Sequence, residues 1–351
     1  MINGRQLAFF MAFLLPVSKL LELPSRLASA SGGDLLIPAL LGSVLEGLAL
    51  FGAYQFVKKR RKGVFAYLVE QSKPLATALQ LFYAVLLLVY ALVFLLDLEK
   101  FSLVAFSDTE PTFFSFLPFF IFSAFASCKG AKAVGRSADL CPVLFFLPFL
   151  GLVVLSVGAT DFSAVLPLFE FPLLRHLTAV KNTAPFWCSG LLFIPLFEGY
   201  IPKEKDGLRI GVGYLLGTLC VGVFLLIFYG LYGPLAEKQH YALAKIGQFF
   251  PALATLGRAD LLLVYAVTVC LLFFAVVPIS CSATLLQSVF STPNKVVVAG
   301  VLNTLLFLCV LFLNRRYNAV YRFCTGTIAP VYAVFGVLVP LLLGVMIRRK
   351  K

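Results

Sequence analysis

Lys19, Glu22 and Glu46 are charged residues inside long apolar stretches of the first fifty residues. Lys19 and Glu22 are three residues apart, so on a helix they share a face and could pair. Glu46 lies near the middle of the next apolar stretch. Charged side chains inside a membrane normally face other helices and find partners there. The spacing therefore predicts an intramembrane charge network of Lys19, Glu22 and Glu46, although Lys19 could instead extend its ammonium to the membrane surface.

Two helix-breaking segments accompany these charges. Pro16 lacks a backbone N–H and clashes with the preceding turn, so the chain is predicted to kink or unwind near residues 12–18. The segment 182–190, Asn-Thr-Ala-Pro-Phe-Trp-Cys-Ser-Gly, is a similar interruption. Paired breaks in two halves of a membrane protein are typical of transporters with an inverted repeat, whose substrate site lies where the breaks meet. Two ordinary proline kinks without a ligand are the alternative.

The side chains beside the two breaks are the predicted ligand-binding residues, together with tyrosines of the third apolar stretch as possible cavity walls. The predicted ligand-binding residues are Val17, Ser18, Lys19, Tyr83, Thr183, Phe186, Trp187 and Ser189. Tyr90 is a further possible wall.

No catalytic residue, cofactor or metal site is predicted. The chain has two histidines and eight cysteines, and the cysteines form no C-x-x-C pair. The motifs H-E-x-x-H and G-x-S-x-G and a Walker loop are absent from the sequence. A membrane enzyme that uses scattered carboxylates, or a purely structural subunit, is the third and least favoured possibility.

The composition of the chain indicates that the helices carrying these residues lie in a membrane. Hydrophobic residues make up 61% of the 351 positions and charged residues 13%, whereas a soluble domain is about half apolar and a quarter charged. The apolar runs are about twenty residues long, the length that a helix needs to cross the hydrocarbon core. An all-α membrane protein of about ten spans is therefore predicted, as a single domain over residues 1–351. The spans are 6–28, 35–57, 76–96, 112–128, 141–159, 174–200, 208–233, 261–286, 296–313 and 327–347.

The net charge of +13 is distributed by loop. Basic clusters at 58–62, 129–136 and 348–351 alternate with an acidic loop at 97–110. The positive-inside rule then places both termini in the cytoplasm, with the basic clusters near anionic lipid, and gives no reason to invoke nucleic acid. Three arginines of one loop, Arg315, Arg316 and Arg322, fall on the predicted outside. Either they pack inward against protein or the last two spans are misplaced.

Short motifs, in order over nearly the whole chain, resemble those of the spore germination permeases, the membrane B subunits of germinant receptors. They are Gln6, Pro24-Ser25, Leu27-Ala28 and Gly33-Asp34-Leu35-Leu36-Ile37; Lys129-Gly130 with Arg136; Asp161-Phe162 with Leu166-Pro167; and Phe250-Pro251 with Gly257-Arg258-Ala259-Asp260.

This resemblance implies the amino acid/polyamine/organocation transporter superfamily and a leucine-transporter-like fold. Its five-plus-five inverted repeat would join residues 6–159 and 174–347, with helices 1 and 6 broken at the ligand site. It also implies a small germinant, often an amino acid, an A-type membrane subunit and a C-type lipoprotein subunit as partners, and the inner membrane of an endospore. A working amino-acid permease, possibly proton-coupled and unrelated to germination, is the alternative.

One departure from the family pattern concerns the first break. Relatives usually have a small Gly-Thr-type step there, whereas this chain has Val17-Ser18 followed by Lys19. Val17 narrows access to the backbone N–H groups that would meet a carboxylate. Lys19 could instead fill a cation site or offer its ammonium to an anionic ligand.

Overall fold

A computed structural model describes residues 2–105, 112–166, 169–246, 260–290 and 294–348, and a helix or a helix pair lies at each of the ten predicted spans. The helices of the first half are α1 Gly4–Phe9, α2 Leu15–Lys19, α3 Leu23–Ser31, α4 Leu36–Arg60, α5 Val64–Gln71, α6 Lys73–Ala105, α7 Thr112–Lys129, α8 Ala131–Cys141 and α9 Leu147–Val157. Those of the second half are α10 Leu173–Asn182, α11 Gly190–Leu196, α12 Asp206–Tyr232, α13 Ala242–Ile246, α14 Asp260–Phe290, α15 Lys295–Leu313, α16 Tyr317–Arg322, α17 Ala329–Ala333 and α18 Val339–Arg348.

Length and hydropathy identify the membrane-crossing helices. Within the described residues, six helical stretches are long and apolar enough to span a membrane: Leu23–Arg60, Lys73–Ala105, Ala131–Val157, Asp206–Lys238, Val264–Phe290 and Lys295–Thr327. Shorter apolar helices at Leu117–Lys129, Ala184–Leu196 and Ala329–Val345 fall on the fourth, sixth and tenth predicted spans. The prediction of an all-α protein that crosses the membrane many times is confirmed.

The first span is interrupted later than the sequence indicates. A π-helical turn, Phe10–Leu14, precedes Pro16, and the Leu15 N–H bonds to the Phe10 carbonyl five residues back. This wider turn accommodates the proline ring, which would clash in a regular helix. The helix therefore continues through Pro16 to Lys19 and breaks at residues 20–22. The predicted kink or unwinding near residues 12–18 is present as the π-helical turn, which overlaps it at residues 12–14, and the unwound residues lie just beyond it at 20–22.

The sixth span breaks where the sequence predicts. Helix α10 ends at Asn182, a 3-10 turn covers Ala184–Trp187, and α11 begins at Gly190. Pro185 lies in the first turn of the 3-10 segment, where its missing N–H removes no helical hydrogen bond. Both predicted broken spans are therefore present.

Span pairing follows a regular pattern. Helix α6 packs on α14, α7 on α15, α1 on α12, and α4 on both α10 and α11. In an inverted repeat, span 1 is equivalent to span 6 and span 2 to span 7, so the contact of α1 with α12 (spans 1 and 7) requires an equivalent contact of spans 6 and 2, which α4 makes with α10 and α11. The pairs of spans 3 and 8 and of spans 4 and 9 are each equivalent to themselves. The pairing supports the five-plus-five repeat of residues 6–159 and 174–347, which stays a prediction.

Glycines let the tenth span lie directly on the second and sixth. A Cβ on Gly52 would meet the Pro340 carbonyl at 2.5 Å, and one on Gly344 would meet the Gly52 Cα at 2.8 Å. A Cβ on Gly336 would meet the Cβ of Cys188 at 2.6 Å, and one on Gly190 would overlap the Gly336 carbonyl. We call this contact the glycine seam.

The loops sort into two groups, one at each end of the bundle. At the Arg5 end, the Arg5 guanidinium lies 3.2 Å from Asp139, and the Phe65 N–H donates to Glu198 Oε1 at 2.7 Å. At the Asp34 end, the Asp34 carboxylate accepts the N–H groups of residues 169 and 171 at 2.7 and 3.0 Å. The basic loops of residues 58–62 and 129–136 thus belong to the same end, as the positive-inside reading requires. Which end is cytoplasmic stays a prediction.

Neither expectation for the arginine loop holds. Arg315 and Arg316 occupy an exposed 3-10 turn, and Arg322 is exposed at the end of α16. Helices α15, α17 and α18 nevertheless lie at the predicted last two spans. The arginines are thus exposed at the Asp34 end. Tyr317 and Tyr321 of the same loop hold it there through their contacts with Glu22 and Asp97.

Some residues discussed above lie outside the described part of the chain: Asp108, Glu110, Pro167, 250–259 and 349–351.

Candidate functional site

Lys19 is the last residue of α2 and is buried beside the first break. Its ammonium donates to Glu46 Oε2 of α4, and the two side chains are 6% and 0% exposed. The same nitrogen lies 4.6 Å from the centroid of the Trp187 ring, a cation–π distance. Lys19 therefore does not reach the membrane surface. The helix break between residues 19 and 22 separates it from Glu22, the other expected partner.

Two further spans complete this sealed network. The Tyr214 hydroxyl of α12 lies 2.9 Å from Glu46 Oε2 and 2.6 Å from the Ser43 carbonyl. A Cβ on Gly42 would overlap the Trp187 indole, so the glycine admits the ring beside Lys19. The indole N–H donates to Thr183 Oγ1 at 3.0 Å. The network, which we call the inner charge network, joins spans 1, 2, 6 and 7.

A second polar group lies across the break and is called the outer carboxyl cluster: Glu22, Arg26, Asp97, Tyr317 and Tyr321. Glu22 accepts from Arg26 Nε at 3.1 Å and from the Tyr321 hydroxyl. The Tyr317 oxygen is 2.7 Å from Asp97 Oδ1 and 3.2 Å from Glu22 Oε1. A phenol carries one hydrogen, so it cannot donate to both carboxylates. Both contacts are hydrogen bonds only when one of the carboxyl groups is protonated.

A small cavity lies between the two breaks. Its volume is about 50 Å³, room for one or two water molecules at roughly 30 Å³ each. Its polar walls include Ser18 of α2, just before the first break, Asp97 from α6, and the tyrosines at 90, 321 and 332. Phe186 and Pro185 of the second break complete it. The Tyr332 hydroxyl is buried and has no hydrogen-bond partner among the described residues, so it is available to a ligand.

A larger recess opens from the same region. This vestibule has a volume of about 610 Å³ and lies between α3, the end of α10 and the tenth span. Its charged lining residues are Arg26, Lys181 and Arg322. Thr325 lines both the vestibule and the cavity, so the two spaces are neighbours.

The structure separates the predicted ligand-binding residues into four groups. Ser18 and Phe186 line the cavity, Thr183 lines the vestibule, and Lys19 and Trp187 belong to the inner charge network. Val17, Tyr83 and Ser189 are buried but line neither space. The Tyr83 ring lies 5.2 Å from Phe65, and its hydroxyl donates to the Phe335 carbonyl at 3.1 Å. Their roles in ligand binding stay predictions.

Sequence reasoning did not assign Asp97, Tyr321 or Tyr332 to the site. Asp97 looks like a loop residue because the apolar run ends at 96, but α6 continues to Ala105 and carries it against the cavity. Tyr321 of α16 and Tyr332 of the tenth span have no local signal, since isolated tyrosines are common packing residues. Only their position opposite the two breaks identifies them.

The fold and the site define a permease-like membrane protein with two broken spans around a polar cavity. Comparison with protein families extends this: the chain matches the spore permease family, described as spore germination protein, over residues 2–318. It belongs to that family. A search of curated proteins returned no match.

Proposed function

We propose that this chain is the ligand-binding, permease-like subunit of a germinant receptor in the inner membrane of an endospore. A small polar germinant, such as an amino acid, binds at the cavity between the breaks of spans 1 and 6. Binding rearranges the tenth span, and the change is passed to an A-type membrane subunit and a C-type lipoprotein subunit. The observation that carries the proposal is the cavity itself, where both interrupted helices meet beside the unpartnered Tyr332 hydroxyl.

Two tyrosines provide a matched test. Purified protein in lipid nanodiscs is screened with amino acids, nucleosides and sugars for a rise in melting temperature, and the affinity of any ligand is then measured. Tyr332→Phe should weaken binding by about tenfold, the effect of one lost hydrogen bond of about 1.4 kcal/mol. Tyr232→Phe, whose hydroxyl donates to the Lys245 carbonyl at 3.0 Å and does not line the cavity, should leave affinity unchanged. Equal losses in both variants, or no stabilising ligand in the screen, would count against the cavity as the site.

A proton-coupled amino-acid permease is the second candidate. The outer carboxyl cluster favours it, because Glu22 and Asp97 flank one phenol hydrogen and the cavity reaches Asp97. Uptake of labelled amino acid into liposomes that contain this chain alone distinguishes the candidates. Robust uptake driven by an imposed proton gradient supports a permease, whereas binding without uptake supports a sensor.

A further inference from the structure

The vestibule has an unusual charge balance. Its lining includes three cationic side chains, Arg26, Lys181 and Arg322, and no carboxylate among the described residues. Lys181 and Arg322 are exposed, and neither forms an ion pair with a described residue. Arg26 is the one neutralised member, through Glu22 at 3.1 Å. The recess therefore has a net positive charge.

Arg26 also marks the boundary between the vestibule and the cavity. Its guanidinium lies 4.5 Å from the ring centroid of Tyr321, which lines the cavity, while Arg26 itself lines the vestibule. Glu22 engages its Nε, and a guanidinium has four further N–H groups on its two terminal nitrogens, for which the described residues show no hydrogen bond. A molecule that moves inward passes the two exposed cations first and the Arg26–Tyr321 pair last.

The two volumes decide where a ligand first binds. At roughly 30 Å³ for each water molecule, the vestibule holds about twenty and the cavity one or two. A molecule the size of an amino acid therefore fits the vestibule in this conformation, whereas the cavity must enlarge to receive it. Recesses lined by one sign of charge concentrate counter-ions and raise on-rates by about 10-fold to 1,000-fold.

We propose that the vestibule is an anion-attracting entry site, and that the ligand enters by presenting a carboxylate or another small anionic group to Lys181, Arg322 and Arg26. That this ligand is a germinant rests on the proposed function. The positive charge of the vestibule follows from its lining residues alone. A phosphate group of an anionic lipid has the same chemistry as a soluble anion and is the competing occupant.

Charged thiol reagents test this site without knowledge of the ligand. Ser29 lines the vestibule and is exposed, so Ser29→Cys places a reactive thiol there at little structural cost. Ala159→Cys is the control on an exposed turn beside Asp161, where hydrogen bonds from Ser163 hold the carboxyl pKa below its usual range and keep it charged. The rates with an anionic and a cationic methanethiosulfonate are measured in phosphatidylcholine nanodiscs, and the labelling of the parent chain is subtracted.

The anionic-to-cationic rate ratio at Ser29→Cys should exceed that at Ala159→Cys by about tenfold or more, and the excess should shrink in ~1 M salt. Adding Lys181→Gln and Arg322→Gln should remove most of the excess, whereas Lys181→Arg with Arg322→Lys should retain it. Equal ratios at the two cysteines, or no effect of the glutamine pair in a monodisperse protein, would overturn the entry site.

Phosphatidylglycerol nanodiscs separate the two sources of anion. A ratio that persists there supports entry of a soluble anion. A ratio that falls to the control value would show that a lipid headgroup fills the vestibule, and would overturn the entry route. If the protein binds a ligand at the cavity but the rate ratios at the two cysteines are equal, only the entry site is overturned. If the ratio at Ser29→Cys is high but the protein binds no small molecule, only the proposed function is overturned.

Discussion

The inner charge network and the outer carboxyl cluster lie on opposite sides of the same helix break, yet their charges are balanced differently. Glu46 has one cation, Lys19, and one phenol, Tyr214, and it is fully buried. In the outer cluster two carboxyl groups, Glu22 and Asp97, share one phenol hydrogen, and the single paired cation also borders the vestibule. The inner pair is buried and balanced in charge, whereas the outer cluster has one more carboxyl group than paired cations and lies beside both the cavity and the vestibule.

The largest expected loss of stability comes from removing the cation of the inner charge network. Lys19→Met leaves the Glu46 carboxylate buried without a cation, and removing one member of a buried ion pair costs about 3–5 kcal/mol. We expect a lower amount of protein in the membrane and a lower melting temperature in detergent. Normal accumulation of Lys19→Met would mean that the pair does not hold these spans together.

The double variant Lys19→Met with Glu46→Gln is the control for that experiment. It removes both charges, so most of the lost accumulation should return. If the stable double variant still fails to respond to a germinant, Lys19 contributes to ligand response in addition to its structural pairing. If accumulation stays low, the loss has a cause other than the unpaired carboxylate.

A smaller effect is expected from the phenol of the same network. Tyr214→Phe removes the one phenol hydrogen that lies between the Ser43 carbonyl at 2.6 Å and Glu46 Oε2 at 2.9 Å, a loss worth about 1–3 kcal/mol. The melting temperature should fall measurably, while Tyr332→Phe, which removes a buried hydroxyl that has no hydrogen-bond partner among the described residues, should leave it nearly unchanged. Similar falls in both variants would show that the loss of a hydroxyl, and not the loss of this bond, is being measured.

The smallest effect is expected in the outer carboxyl cluster. Asp97→Asn substitutes a neutral amide that can donate to the Tyr317 oxygen, as a protonated Asp97 does, so it should cost less than about 1 kcal/mol. The same carboxyl-to-amide change at Glu46 leaves the buried Lys19 ammonium without a carboxylate partner and should cost about 3–5 kcal/mol. Equal losses of melting temperature for the two substitutions would mean that Asp97 is ionised and structurally paired.

The sequence predicts part of the fold and part of the inner charge network. Apolar runs of membrane-crossing length predict the spans, and Asn182 to Gly190 predicts the second break, because both signals are local. Lys19 in an apolar run indicates a buried pair, but the choice of Glu46 over Glu22 depends on where the helix breaks. Pro16 indicates a distortion of this helix, but the sequence does not show that the π-helical turn at Phe10–Leu14 absorbs the distortion and lets the helix continue to Lys19. The outer carboxyl cluster is unpredictable for another reason: it joins residues more than 200 positions apart along the chain.

The glycine seam fixes the position of the tenth span along the second and sixth. A Cβ on Gly52, Gly190, Gly336 or Gly344 would lie within 2.8 Å of an atom of the neighbouring span, so a shift by one residue would press a side chain against a backbone at each contact. Arg322, Thr325 and Tyr332 belong to this span or lead into it, and between them they line both the vestibule and the cavity. Four residues without side chains therefore set where the walls of both spaces stand.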